Sequence, residues 1–408
     1  MDHATPARFL AAHEATATAP ALALALSPTA RLLHQQLPPP RANLQVSVII
    51  PAKNEAVGLP ATLAALAAQT NLTGQPLPAG CFEVLVLANN CSDATAEVVR
   101  QQARRWPQLM LHVAEIDLPT PLAHVGRARR LLMDEACARL ELTVGTGIIA
   151  STDADTRVAP TWVATIMAEV AAGADAVGGR ISTEYDDEDQ PELRSLRRVQ
   201  ARDAAYRILC ARLEHAIDPA PADPWPRHHQ HFGASLAITT RAYRRVGGLP
   251  AVRFLEDEAL CQRLRRHDLA LRHSPHVQVL TSARREGRVE VGLSWQLREW
   301  LRLSQQQREP HVENPSQLAA QWRLRCQLRA HWANGARYRP EALATRLGIP
   351  VVTLQEQAWQ ATTFGLLWEW ALANAPGLRV DMLPLSWALR QLPLLIRECR
   401  LMAVDALA

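Results

Sequence analysis

Between Val46 and Thr152, short apolar runs alternate with amphipathic stretches, and this alternation constrains the fold more than any other feature. The β-branched run Val46-Ser47-Val48-Ile49-Ile50 reads as a strand that Pro51 stops. The pattern then predicts a helix over Leu59 to Ala68, a strand over Phe82 to Leu87, and a helix that opens at Ser92-Asp93 and reaches about Arg105. A strand over Leu109 to Ile116, a helix over Val125 to Leu140 and a strand over Ile148 to Thr152 complete the series. Strands separated by helices are joined by crossovers, so the expected fold is α/β, a mostly parallel sheet with helices on both faces. In such sheets ligands bind at the carboxyl ends of the strands.

The flanking regions read differently. Residues 1–43 are rich in Ala, Thr and Pro and end in Pro38-Pro39-Pro40, so they are expected to form a mostly flexible tail with room for one short helix. Residues 184–230 interrupt the alternation: an acidic loop, Asp186-Asp187-Glu188-Asp189, precedes Pro191, and Leu193, Leu196, Val199, Leu209 and Leu213 then suggest a helix. From Val291 onward the chain reads as helical. The expected organisation is a tail over 1–43, an α/β domain over 44–289 and a helical region over 290–408.

Composition excludes some classes. With 44 basic and 40 acidic side chains the net charge is +4, which does not by itself call for nucleic acid. Seven cysteines without a C-x-x-C pair argue against a disulfide framework or a structural zinc site and fit a reducing cytoplasm. No apolar run approaches the roughly 20 residues needed to span a bilayer. A signal peptide is not expected, since the N-terminus lacks a basic segment.

Five motifs fall where a ligand would bind. Thr152-Asp153-Ala154-Asp155 follows an apolar run, and two carboxylates at i and i+2 just beyond a strand suit one hard cation. By itself D-x-D is more often a solvated turn. Pro51-Ala52-Lys53-Asn54-Glu55 is a strand-to-helix joint that can read a base and ribose, or simply cap a helix. Asn89-Asn90-Cys91-Ser92-Asp93 sits at the end of the second strand, with Ser92 or Asp93 as a cap. Gly126-Arg127-Ala128-Arg129-Arg130 opens a helix, where one arginine suits a diphosphate. Phe254-Leu255-Glu256-Asp257-Glu258 places three acids beside an apolar helical pattern, as a dipole-favoured helix start or as the seat of a general base.

Together, and in this order, these segments resemble the family 2 glycosyltransferases of the GT-A fold over residues 44–285. "VSVIIPAKNE" is similar to that family's first strand and base-binding turn, "STDADT" to its metal-binding D-x-D, "HFGASLAITTRAYRRVGGL" to its acceptor-side strand, and "FLEDEAL" to its E-D motif. Absence of a Q-x-x-R-W sequence sets the chain apart from processive synthases, and the segment resembles a non-processive bacterial subgroup. The resemblance implies a GT-A nucleotide-sugar-binding domain with a helical C-terminal region. It implies sugar transfer from a nucleotide diphosphate donor to an unidentified hydroxyl acceptor, with inversion. Asp153 and Asp155 would hold Mn²⁺ or Mg²⁺, and Asp155 is the expected direct ligand. Pro51, Ala52, Asn54, Glu55, Asn89, Asn90, Arg127, Asp153 and Arg284 would hold the donor, Asp257 would be the base and Glu256 would orient the acceptor. His228, His229 and His231 stand upstream of Gly233, more often a place for surface histidines than for ligands, and His273 or His276 is a remoter candidate for a metal.

Three competing readings remain open at this level. One is a nucleotide-sugar binding protein without catalysis. A nucleotidyltransferase would need a Gly-rich signature with a lysine, which is absent. Nucleic-acid binding through "PEALATRLGIPVVTLQEQ" is weighed against a packed helical hairpin turning at Gly348, and the hairpin is expected. Residues 381–408 mix leucines with arginines and can lie on a membrane surface. A core-facing helix is the expectation there, because the positive face is thin and Pro384 and Pro393 interrupt it.

Overall fold

The structure is a computed structural model, and it describes residues 28–143, 146–185, 191–284, 292–334 and 340–405. The acidic loop at 186–189 and residues 1–27 of the expected tail lie outside the described residues. The chain forms two compact units. The first comprises Met1–Glu184, His231–Arg263 and His276–Gly292, and the second Tyr185–Gln230, Leu264–Pro275 and Leu293–Ala408.

The helices are α1 (Pro28–Gln35), α2 (Leu59–Ala67), α3 (Thr95–Arg105), α4 (Val125–Glu141), α5 (Trp162–Ala171), α6 (Pro191–Ile217), α7 (Thr240–Arg245), α8 (Glu256–Arg266), α9 (Leu293–Gln305), α10 (Pro315–Asn334), α11 (Pro340–Leu347), α12 (Val351–Gln360), α13 (Phe364–Asn374) and α14 (Leu385–Asp405). The strands β1 (Val46–Ala52), β2 (Phe82–Asn89), β3 (Met110–Ile116), β4 (Ile148–Ser151), β5 (Thr156–Val158), β6 (Ala176–Glu184), β7 (Leu236–Thr239) and β8 (Leu271–Ser282) form one sheet in the order β3-β2-β1-β4-β7-β6-β8-β5. Its first four members are parallel, as the alternation predicts, and β7 then pairs antiparallel with β4 and β6.

Every residue from Val46 to Ile50 is buried, as expected of a parallel strand covered on both faces. Val46, Val48 and Ile50 share a core with Leu59, Leu63 and Leu66 of α2 and Trp162 of α5. Burying each such aliphatic side chain contributes about 1.5–3 kcal/mol.

Three local expectations are corrected. β1 runs through Pro51 to Ala52. The Ile49 carbonyl accepts from Thr152, so Pro51, two residues on, faces the same edge beyond the end of β4, where no N–H is needed. Helix α3 starts at Thr95, because Asp93 spends its carboxylate on a turn, accepting from the Thr95 backbone at 3.0 Å. Order begins ahead of Val46: Leu33 of α1 is buried, and His34 Nδ1 meets Glu135 at 3.0 Å.

The second unit is helical. Leu385, Ala388, Leu392 and Ile396 of α14 pack with Tyr206 and Leu213 of α6 and Leu318, Ala319 and Trp322 of α10. Helix α14 continues through Pro393, contrary to the expected interruption. Pro393 is exposed, so water can replace the hydrogen bond its missing N–H costs the helix. Pro384 ends strand β10 (Met382–Pro384), paired with β9 (His311–Glu313), directly before the helix. Leu343, Ala344 and Leu347 of α11 and Leu354 of α12 are buried against α10 and α13, and Gly348 turns between the two helices at φ +72°. That is the packed hairpin, with its apolar faces committed to the core.

Candidate active site

The first unit brings the β1–α2 and β2–α3 joints together at the carboxyl ends of adjacent parallel strands. Asn54 and Asn90 adopt left-handed backbone, φ 55° and 51°, which asparagine tolerates better than other non-glycine residues. Asn54 Oδ1 accepts from the Ser92 backbone N–H at 2.7 Å, and its amide donates to Ser92 Oγ at 3.1 Å. The Asn90 amide donates to the Leu118 carbonyl at 2.9 Å, and its oxygen accepts from the Leu118 N–H at 3.1 Å. Both side chains therefore brace loops. Asn89 is buried at the end of β2. Glu55 is buried and takes a bidentate pair from Arg284, at 2.9 and 2.6 Å.

The D-x-D segment follows β4 and is fixed from several sides. Thr152 Oγ1 donates to the Ala234 carbonyl at 3.0 Å, and Thr62 Oγ1 to the Ala154 carbonyl at 2.9 Å. Arg284 reaches Asp155 at 3.1 Å while holding Glu55. Asp153 Oδ1 accepts from Arg129 at 2.6 Å. Arg129 also donates to Ser151 Oγ at 3.1 Å and to Glu256, so one buried guanidinium joins the D-x-D to the E-D motif.

The helix register explains why the arginine at 129 does this. Arg129 lies on the same stripe of α4 as buried Leu132, Met133 and Ala136, whereas Arg127 stands off it. Gly233 leaves room for it: a Cβ there would lie 2.5 Å from the Arg129 guanidinium carbon. The Gly233 N–H donates to Asp257 Oδ2 at 2.8 Å, and the Glu258 N–H to Asp257 Oδ1 at 2.8 Å. The E-D segment is entered through Leu255, whose φ of 56° costs a non-glycine residue about 1–2 kcal/mol. Gly126 is required for a different approach, since a Cβ there would come within 2.0 Å of the Val252 carbonyl oxygen.

Acids outnumber bases in this cluster. Burial, then the neighbouring charges of Asp153 and Glu55, push the Asp155 carboxyl up to about 6 against the pull of Arg284. Burial and the charge of Asp257 raise Asp153 despite Arg129. Burial raises Glu256 to about 7, with Asp257 and Asp153 adding to it. Carboxylate oxygens crowded by like charge suit a hard divalent cation, so Asp153 and Asp155 fit as part of a coordination shell. Among the described residues no group of three or more His, Cys, Asp or Glu side chains is placed to hold a metal ion.

The remaining candidate residues lie in several places. Pro51 and Ala52 end β1 beside the Asn54 turn. The Arg127 backbone N–H is capped by His124 Nδ1 at 3.2 Å, and its Nε is buried without a hydrogen-bond partner among the described residues. His231 pairs with Glu258 at 2.6 Å in the first unit. His228 belongs to the second unit, where its Nε2 meets the Ser274 carbonyl at 2.9 Å. His273 lies there too, bonded to Asp223 at 2.8 Å, which ties up that ring nitrogen. His276 borders a shallow depression with Thr161, Thr165 and Glu169. The motif alone does not single out Arg129; the signal that finds it is its place on the buried stripe of α4.

A parallel β3-β2-β1-β4 half-sheet with acids at its carboxyl ends is the architecture of a GT-A domain. Residues 47–223 match the family described as Glycosyl transferase family 2, and the fold is that of a nucleotide-sugar glycosyltransferase. No curated protein matches the chain. Among solved structures, a mannosyltransferase from Pyrobaculum calidifontis in complex with GDP-Man and Mn²⁺ is 18% identical, with 84% of this chain and 91% of that one covered and a TM-score of 0.41. S. aureus TarS in complex with UDP-GlcNAc is 12% identical, covering 80% and 90% at a TM-score of 0.42. Glucosyl-3-phosphoglycerate synthase from Mycobacterium tuberculosis, in complex with Mn²⁺, UDP-Glc and phosphoglyceric acid, is 17% identical, covering 70% and 88% at a TM-score of 0.35.

Proposed function

We propose that this chain transfers a sugar from a nucleoside diphosphate donor to a hydroxyl acceptor, inverting the anomeric carbon, with residues 44–289 as the catalytic domain. The observation that carries this reading is one cluster of Glu55, Asp153, Asp155 and Glu256 around Arg129 and Arg284, with Asp257 beside it, at the carboxyl ends of β1 and β4. Asp155, with Asp153, would hold Mn²⁺ or Mg²⁺; Asp153 already gives one oxygen to Arg129. When bound, such a cation neutralises charge on the departing diphosphate. Arg284 and Arg127 add positive charge on the donor side. Pro51, Ala52, Asn54, Glu55, Asn89 and Asn90 frame the nucleotide end, their loops held by the bonds described above.

Asp257 takes the acceptor proton as the acceptor oxygen bonds to the anomeric carbon and the bond to the diphosphate breaks. Both its oxygens accept backbone N–H groups, which hold the carboxylate in place. Glu256 orients Arg129 and the acceptor side. Seven cysteines, none of them in a disulfide among the described residues, support a reducing compartment, the cytoplasm.

The test is a donor screen on the purified chain with Mn²⁺ or Mg²⁺, reading released nucleoside diphosphate. Asp155→Ala is expected to abolish transfer and weaken donor binding without unfolding the chain. Unchanged turnover in that variant, with metal stripped by chelator, would end the metal reading. Tight donor binding with neither transfer nor donor hydrolysis would favour a binding protein instead.

A further inference from the structure

Helix α14 has a second face. At 100° per residue, Trp387, Leu394 and Leu401 fall within about 35° of the line opposite the buried stripe Leu385, Ala388, Leu392 and Ile396. They are 54%, 68% and 57% exposed. Their seven-residue spacing makes a line of large apolar side chains along a helix about 30 Å long. Arg390 and Arg397 are exposed beside that line, Arg400 is exposed further round, and Glu398 is the only acid between Leu385 and Leu401. The uninterrupted passage through Pro393 is what brings the three apolar residues into register.

We infer that this face of α14 seats on an anionic lipid surface, with Trp387, Leu394 and Leu401 entering the headgroup boundary and Arg390, Arg397 and Arg400 meeting lipid phosphate. Charge decides between this occupant and a second copy of the helix. A second copy sets arginine against arginine, with Glu398 alone to offset them, whereas an anionic bilayer supplies the opposite charge along the whole face. Arginine stems can lie beside the apolar line while their guanidinium groups stay at the phosphates, and tryptophan suits that boundary. No helix among the described residues is long and apolar enough to cross a membrane, so the contact is peripheral. The inference stands apart from the glycosyl-transfer reading, because it uses none of that site's residues.

The experiment is co-sedimentation of the full chain with vesicles of phosphatidylcholine alone or mixed with phosphatidylglycerol. Binding is expected to the mixed vesicles only, and to fall at high salt. Leu394→Glu combined with Leu401→Glu should lose about tenfold or more in partitioning, with the circular dichroism spectrum unchanged. Arg397→Gln should lose about fivefold. Leu372→Glu, at a 47% exposed leucine of α13, should bind as the parent does. Absence of binding to the mixed vesicles, or binding that the double variant retains, overturns the inference. Equal binding to neutral vesicles overturns it as well. So does a concentration-dependent dimer in sedimentation velocity that the double variant dissolves, which would assign the face to a second copy.

Discussion

In the first unit, Glu55, Asp153, Asp155 and Glu256 share two arginines, Arg129 and Arg284, with Asp257 adding charge nearby. In the second, Glu214, Asp218 and Asp223 are held by Arg227, Arg272, Arg325 and Arg329, with His273 as a further partner. Both clusters are built from buried and half-buried carboxylates and guanidinium groups. Their electrostatics run in opposite directions. In the first, Asp153, Asp155 and Glu256 are all pushed up. In the second, Asp223 is buried, yet its bonds to His273 and Arg227 hold it well below the usual carboxylate range, and Arg325 and Arg227 lower Glu214 against its burial. A balanced lattice stabilises. An acid-rich one stores repulsion, which a cation or a proton relieves, and such imbalance is what a binding or catalytic cleft needs.

The comparison breaks most readily at Asp257. Asp257→Asn keeps size and removes basicity, so turnover should fall by roughly 10²–10⁴ while donor affinity barely changes. Parallel rate and donor-binding measurements decide it. Weakened donor binding with turnover intact would make Asp257 a ligand-holding acid and move the base to Glu256 or Glu258.

The matching substitution in the second unit should act on stability alone. Asp218 is buried and takes Arg325 at 2.5 Å as well as Arg329. Asp218→Asn leaves two arginines short of a counter-charge, at a cost of about 3 kcal/mol, the low end for a broken buried pair because Arg329 stays partly in water. Urea titration reads this directly. A loss below about 1 kcal/mol would mean the lattice behaves as a surface pair does.

What was legible in the chain follows the same division. The half-sheet β3-β2-β1-β4 is local: each strand announces itself in a run such as Val46 to Ile50, and the helices between set the crossover. D-x-D and E-D are legible because each follows or opens an element. Arg129 was hidden among three arginines, since only the register of α4 distinguishes it from Arg127, and the Gly233 that seats it is more than 100 residues away. The motif at Asn54 and Asn90 is legible as a ligand-side turn, but their left-handed backbone and the loop bonds they make are not, because the partners Ser92 and Leu118 are brought to them only by the fold. The second unit draws Tyr185–Gln230 and Leu264–Pro275 to the C-terminal helices, a non-local assembly that no window of periodicity reports. Propensity alone predicts a break at Pro393, and tertiary packing of α14 against α6 outweighs it.

The smallest effect is also the sharpest test of the contrast. Asp155 has a folded-state pKa of about 6, above the ordinary carboxylate value near 4. Between those values the folded chain holds a proton that the unfolded chain has lost, so stability falls as pH rises through that window. Asparagine does not titrate. Without metal, in chelator, Asp155→Asn should therefore be more stable than the parent by about 1 kcal/mol at pH 7.5, after allowance for its weaker contact with Arg284. That advantage should shrink as pH falls from about 6 towards 4. Asp223 predicts the reverse order: its folded pKa is depressed, so its contribution is complete above the ordinary carboxylate range and is lost only below it. Urea midpoints for parent and variant at pH 7.5 and pH 4.5 separate the two behaviours. Excess Mn²⁺ should cancel the advantage at pH 7.5, because it binds the folded parent and not the variant. If Asp155→Asn is instead less stable at pH 7.5 in chelator, the Arg284 pair outweighs the repulsion from Asp153 and Glu55. The first cluster would then be a structural lattice of the same kind as the second.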